Sequence, residues 1–146
     1  MKQSKTYQIT YEVLNAVTHG LGFLLAVGAG IALIFHVLRR PVTGLEITAI
    51  AIYVSTVGFF LLASTLFHSL VFTRAAKTFQ FFDHAGIYLV ILGSYTPYTW
   101  LLIKGWVGWT IWSAILVMTI AGFIYDLFFV GRWPWVSVTI YLVMGW

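Results

Sequence analysis

Long apolar stretches separated by short polar breaks dominate the pattern of this chain. Four stretches are long enough to cross a hydrocarbon core, which needs about 20 helical residues. They cover residues 16–38, 45–72, 81–103 and 106–130, and a fifth apolar run covers 135–146. The breaks carry Arg, Lys, Gly and Pro and are short, so consecutive helices are expected to run antiparallel. The pattern predicts an all-α, polytopic membrane helical bundle that forms a single integral membrane domain.

The ends of the chain admit alternative readings. The run at 135–146 is too short to span a bilayer, which indicates a fifth span that is cut off and a chain that is a piece of a longer protein. The alternative is a re-entrant or interfacial last helix. The first stretch does not fit a signal peptide, because it stays apolar through Ile34, Phe35, Val37 and Leu38.

Composition and charge support the membrane assignment. Of the 146 residues, 61% are hydrophobic and 8% are charged, too few charges to cover a water-soluble domain. The basic residues are scattered between apolar blocks, which argues against a nucleic-acid partner and makes the lipid bilayer the expected one. With a cytoplasmic N-terminus, five basic residues fall on the inner side (Lys2, Lys5, Arg74, Lys77, Arg132) and three on the outer (Arg39, Arg40, Lys104). This bias favours a cytoplasmic N-terminus in the cell membrane.

Ionisable side chains inside the spans are the candidates for function, because a charge at the bilayer centre costs about 2.5–3.5 kcal/mol on insertion scales. The chain has no cysteine, so a metal would have to use histidine, carboxylate or water. His36 and Glu46 flank the first loop. The others are expected toward the opposite face of the bilayer: His19, His68, Asp83, His84 and Asp126.

The most informative spacing joins Ser64 and His68. Four residues apart, they share one helical face at about 6 Å along the axis. Asp83, which follows after a short loop, can return to the depth of His68. Imidazole is a common metal ligand, and a carboxylate and a hydroxyl can orient a water or a substrate carbonyl. A structural interpretation, in which His68, Ser69 and Asp83 only cap and hydrogen-bond the ends of two helices at their interface, stays open.

The remaining ionisable residues have less specific readings. His84 points about 100° away from Asp83 on a helix and is not expected to reach the same ion. His19 is either a further ligand or a packing histidine. Asp126 reads as a helix-end residue near Arg132. Gly22, Ala26 and Gly30 recur every four residues and predict a smooth face on the first span against which another helix packs.

Five segments together resemble the haemolysin III family, the bacterial branch of the progestin and adiponectin receptor group. They occur in the family's order and cover nearly the whole chain: 15–20 (NAVTHG), 64–69 (STLFHS), 83–87 (DHAGI), 93–98 (GSYTPY) and 141–146 (YLVMGW). The resemblance implies a seven-helix protein with a zinc site near the cytoplasmic face. It assigns zinc ligation to His68, water holding or activation to Asp83, and an assisting hydroxyl to Ser64. It implies two further zinc-ligating histidines on a seventh span, which this sequence does not include.

Three functions are therefore considered. The first is a zinc-dependent, ceramidase-like hydrolase of a lipid amide or ester bond, with Asp83 and Ser64 as catalytic residues and His68 as a metal ligand. The second is a channel-forming or cytolytic protein, although the spans show no repeated polar stripe that would line a pore. The third is a non-catalytic membrane-homeostasis or receptor-like protein, which needs only the packed bundle.

Overall fold

A computed structural model describes residues 4–103, 105–129 and 132–145 of the protein. Every regular element in these ranges is helical, which confirms the all-α prediction. The helices are α1 (Lys5–Leu38), α2 (Gly44–Leu70), α3 (Ala76–Pro97), α4 (Trp106–Phe129) and α5 (Pro134–Met144), with a π-helical segment at Tyr98–Leu102. Four residues that carry the predictions above lie outside the described ranges: Lys2, Lys104, Val130 and Trp146.

Three of the helices are long and apolar enough to cross a membrane by length and composition: α1, α2 and α4. Helix α3 has 22 residues but is not among them. Its N-terminal part carries the polar residues Lys77, Gln80, Asp83 and His84, which lower its hydropathy. A fourth complete span and a seven-helix fold therefore stay predictions.

Helix α1 begins well before the predicted span. The hydroxyl oxygen of Ser4 accepts a hydrogen bond from the Tyr7 backbone N–H at 3.2 Å, which is the usual way to cap a helix N-terminus. The helix ends at Leu38, just ahead of Arg39-Arg40-Pro41, where the proline restricts the preceding backbone. The earlier start brings Glu12 into the same continuous helix as His19.

The loop between α1 and α2 is closed by a capping box. Thr43 and Glu46 exchange side-chain-to-backbone hydrogen bonds, and the Arg40 guanidinium donates to Glu46 at 3.1 Å. Glu46 therefore has a structural role at the N-terminus of α2.

Helix α1 packs against α2 only, among the described elements, and its small residues make the contact. A Cβ atom at Gly30 would lie 2.5 Å from Val54 Cγ1, and one at Gly22 would lie 3.3 Å from Leu61 Cδ2. The predicted smooth face of α1 is confirmed at these two positions. The other faces of α1 are apolar and exposed, as expected of a helix that faces lipid.

Helix α3 lies between α2 on one side and α4 and α5 on the other. Its contact with α2 is also made by glycines, since Gly86 lies against Phe60 and Gly93 against Thr56. On the other side, Tyr88, Ile115 and Met144 form the buried core of α3, α4 and α5. The predicted site residues are divided between two interfaces, since Asp83 lies on α3, whereas the His68 ring of α2 contacts Glu12 and His19 of α1.

Candidate functional site

Ser64 and His68 lie one turn apart near the C-terminal end of α2, as their spacing predicts. Ser64 is buried at 2% exposure, and the His68 ring is mostly covered. The two side chains project from one face of the helix, where α1 approaches from one side and α3 from the other. A hydroxyl and an imidazole therefore share a part of the bundle that is shielded from water.

The closest partner of His68 is Glu12, which the sequence analysis did not include among the candidate residues. The His68 Nδ1 atom lies 2.6 Å from Glu12 Oε2, and the two side chains are 15% and 20% exposed. The sequence does carry a signal: Glu12, Asn15 and His19 recur at helical spacing. This spacing indicates a shared helix face only if α1 extends back to Lys5, which the hydropathy pattern does not predict.

His19 lies beside this pair. Its ring stacks on the His68 ring with centroids 5.6 Å apart and planes 28° apart. Its Nδ1 atom lies 2.8 Å from the Asn15 carbonyl oxygen, which can only accept, so the proton is on Nδ1. The Phe60 ring lies nearly perpendicular to the His19 ring, with the two centroids 6.3 Å apart. Packing and one hydrogen bond account for this histidine.

Asp83 is placed near the same depth by the register of α2 and α3. Gly86 and Gly93 face α2, opposite Phe60 and Thr56, so the helices run antiparallel. Asp83 lies one turn before Gly86 on the same face of α3, at about the level of Ser64. No hydrogen bond joins Asp83 to Ser64 or His68 within the described ranges. Any joint action of these groups would therefore pass through a water or a substrate held between them.

His84 and Asp126 belong to a different part of the molecule. The backbone carbonyl of His84 accepts a hydrogen bond from the Tyr141 hydroxyl at 3.1 Å. Asp126 is fully buried, and its Oδ1 accepts from the Ser137 hydroxyl at 2.8 Å. The Asp126 Oδ2 and Tyr88 hydroxyl oxygens are buried without a hydrogen-bond partner in the described part of the chain. Asp126 thus lies in the last turn of α4, as expected of a helix-end residue, but its partner is Ser137 of α5, and no ion pair joins it to Arg132 within the described ranges.

An open apolar cavity of about 200 Å³ borders the Ser64 side of the α2–α3 interface. All of its lining residues are hydrophobic: Phe59, Leu62, Ala63, Leu66, Phe79 and Phe82. Two of them, Ala63 and Phe82, are the chain neighbours of Ser64 and Asp83. An alkyl chain is the kind of group that fits such a lining.

The metal-binding capacity of these residues is limited. In the ranges 4–103, 105–129 and 132–145, no group of three or more His, Asp or Glu side chains is arranged to hold a metal ion. His68 fits the role of a single ligand, since its Nδ1 is bonded to a carboxylate and its Nε2 has no hydrogen-bond partner in these ranges. A catalytic zinc site takes three protein ligands and an open position.

Comparison with known proteins identifies relatives along almost the entire chain. The family model described as "Haemolysin-III related" matches residues 7–146. The chain is 37% identical over 141 residues to Hemolysin-3 of Bacillus cereus and 33% identical over 140 residues to the Hemolysin-3 homolog of Bacillus subtilis. These matches cover 97% and 96% of this chain but 64% and 65% of the relatives. No solved structure matches.

Proposed function

The chain belongs to the haemolysin III family, and from this premise we propose that it is a zinc-dependent membrane hydrolase that cleaves an amide or ester bond of a lipid. Family membership and three long apolar helices make it a multi-pass membrane protein. The hydrolase activity rests on one observation above all. The His68 ring is held through Nδ1, its Nε2 has no hydrogen-bond partner among the residues that the structure describes, and it lies one turn from a buried serine.

Zinc is the metal that this proposal requires. His68 would ligate it through Nε2, and the further ligands are expected from a region equivalent to the part of the relatives that lies outside the match, which covers 64% of Hemolysin-3 of Bacillus cereus. Bound zinc lowers the pKa of a coordinated water to about 7 and polarises a carbonyl group. Because the described residues supply one fitting ligand, metal binding is proposed for the full-length protein.

The chain's own groups have distinct tasks in this proposal. Asp83 accepts a proton from the water whose oxygen attacks the carbonyl carbon. It then gives that proton to the leaving group, on the amine nitrogen of an amide or the alcohol oxygen of an ester. The Ser64 hydroxyl donates a hydrogen bond to the carbonyl oxygen as negative charge develops on it. The carbon–nitrogen or carbon–oxygen bond breaks, which releases a carboxylic acid and an amine or alcohol.

The apolar cavity beside Ser64 supports a lipid as the substrate class. Its lining offers no polar group to orient a sugar, a peptide or a nucleotide, whereas it suits an alkyl chain. In this arrangement the chain of the lipid lies along α2 and α3. Its amide or ester carbonyl reaches the level of Ser64 and Asp83.

The test is metal analysis of the purified full-length protein together with His68→Ala and Asp83→Ala. We expect zinc in the wild type, loss of zinc in His68→Ala, and greater zinc retention in Asp83→Ala with loss of lipid-amide or lipid-ester cleavage. Wild-type protein that carries no zinc would contradict the hydrolase proposal. Equal zinc loss in the two variants would show that Asp83 is a ligand instead of a water-holding base.

A cytolytic function is the second candidate, because both relatives are named hemolysins. Leakage of dye from liposomes distinguishes the two. Leakage that persists in His68→Ala and Asp83→Ala, with no cleavage of lipid in the wild type, favours a lytic role. A wild-type protein that neither causes dye leakage from liposomes nor cleaves lipid would fit the third function, membrane homeostasis without catalysis.

A further inference from the structure

We propose that Glu12 is a positioning residue, whose carboxylate fixes the tautomer and orientation of the His68 ring so that Nε2 is presented to a metal ion. This inference deepens the proposed function and rests on it for the identity of the metal. It also makes α1, which carries none of the residues in the proposed reaction, a necessary part of the site.

The tautomer follows from the chemistry of the two partners. An ionised carboxylate can only accept hydrogen bonds, so the contact of 2.6 Å requires the proton to be on His68 Nδ1. In the neutral imidazole the lone pair is then on Nε2, the form that ligates a metal. Carboxylate-to-histidine contacts of this kind commonly orient metal-ligating histidines and raise their basicity.

Helix packing fixes the position of the Glu12 carboxylate. Gly22 and Gly30 allow α1 to lie close against α2, so the distance between the backbones at Glu12 and His68 is set by the interface. The stacked ring of His19 restricts rotation of the His68 ring. His19 is itself held by its bond to the Asn15 carbonyl. The orientation of His68 is therefore determined before any metal binds.

Burial strengthens the contact. With both side chains mostly covered, water competes weakly for the carboxylate, and a charge-assisted hydrogen bond gains strength at low local dielectric. By comparison, the ion pair at the other end of α2 joins Glu46 to Arg40, whose side chain is 54% exposed, so water competes more strongly for that contact. Glu46 therefore offers a matched control glutamate on the same helix hairpin.

The test compares the full-length wild type with Glu12→Ala, Glu12→Gln and the control Glu46→Gln. A glutamine at position 46 keeps the capping box, which accepts Glu or Gln. In metal-free protein, nitrogen NMR of labelled histidine, assigned by the signal lost in His68→Ala, reports which ring nitrogen carries the proton. We expect Nδ1 in the wild type and in Glu46→Gln, and a mixture of tautomers in Glu12→Ala.

Zinc affinity is measured on the same proteins by competition with a chelator. Loss of an orienting carboxylate weakens metal binding by about 10–100-fold, and this is the change expected for Glu12→Ala. Glu12→Gln, whose amide oxygen still accepts a hydrogen bond, is expected to lie between Glu12→Ala and the wild type. Far-ultraviolet circular dichroism and thermal unfolding identify any variant whose fold is lost.

The outcomes separate this inference from the proposed function. A wild-type His68 with its proton on Nε2, or zinc affinity in Glu12→Ala within twofold of Glu46→Gln, overturns the role of Glu12 and leaves the hydrolase proposal standing. Wild-type protein that does not bind zinc but has the Nδ1 tautomer, lost in Glu12→Ala, overturns the hydrolase proposal. In that case Glu12 still positions His68, and only the identity of the ligand changes.

Discussion

Gly93→Ala tests whether the close approach of α3 to α2 sets the geometry of the site. An alanine Cβ at this position would lie 1.9 Å from Thr56 Oγ1 and 2.9 Å from Thr56 Cβ. Favourable contacts between heavy atoms lie near 3.5–4.0 Å, so the first distance is about 1.6 Å too short. Thr56 cannot rotate freely, because its hydroxyl donates to the Ile52 and Tyr53 carbonyls. The two helices must therefore separate locally.

The size of the effect follows from two opposing contributions. Overpacking a tight interface costs about 1–3 kcal/mol, whereas alanine in place of a helical glycine gains about 1 kcal/mol in helix propensity. Gly28→Ala is the matched control, since nothing lies within 4 Å of a Cβ at Gly28. The propensity gain cancels between the two variants. Gly93→Ala is therefore expected to be less stable than Gly28→Ala by about 1–3 kcal/mol.

Unfolding in detergent, followed by tryptophan fluorescence and circular dichroism, measures this difference. Thr56→Ala in the Gly93→Ala background removes the contact at 1.9 Å but keeps the one at 2.9 Å. We therefore expect partial recovery of stability and a coupling energy of about 1 kcal/mol. Equal stability of Gly93→Ala and Gly28→Ala would refute the reasoning, because it would mean that α2 and α3 are not held at this distance.

Two further predictions concern buried hydrogen bonds. Ser137→Ala removes the donor to Asp126 and should destabilise the protein by about 1–3 kcal/mol, because Asp126 then has no partner for either oxygen within the described ranges. In the Asp126→Leu background no buried carboxylate remains, so Ser137→Ala should destabilise the protein much less. Equal destabilisation in the two backgrounds, measured by thermal unfolding, would show that Ser137 and Asp126 are not coupled. Thr96→Val removes the hydroxyl that accepts a hydrogen bond from the Trp112 indole N–H at 3.0 Å, and it should lower the free energy of unfolding by about 1 kcal/mol. Thr96→Ser keeps the hydroxyl and should keep this stability. An unchanged thermal transition in Thr96→Val would contradict the prediction.

The existence of the helices was predictable from the sequence, but their ends were not. Hydropathy detects the part of a helix that is apolar, so the first boundary was placed at residue 16, whereas the backbone continues to the cap at Ser4. For the same reason α3 begins at Ala76, ahead of the predicted 81, through a polar first turn. Small residues at regular spacing were a better guide, as Gly22 and Gly30 do form the contact with α2.

The candidate site was predictable where its residues share one helix and less so where they come from different helices. The spacing of Ser64 and His68 required only helical geometry. Glu12 was missed because its partner lies 56 residues away and the hydropathy boundary excluded it. The burial of Asp126 depends on α5 folding back to supply Ser137, a tertiary contact that no local pattern encodes.

The α1–α2 hairpin is fastened at both ends by polar contacts of different kinds. At the closed end Arg40 and Thr43 hold Glu46, at the open end Glu12 holds His68, and glycine contacts lie between. A slip of one helix along the other by a single turn, about 5.4 Å, would break the contacts at both ends. The contacts at the two ends of the hairpin therefore fix the register of α1 on α2 without any contribution from α3.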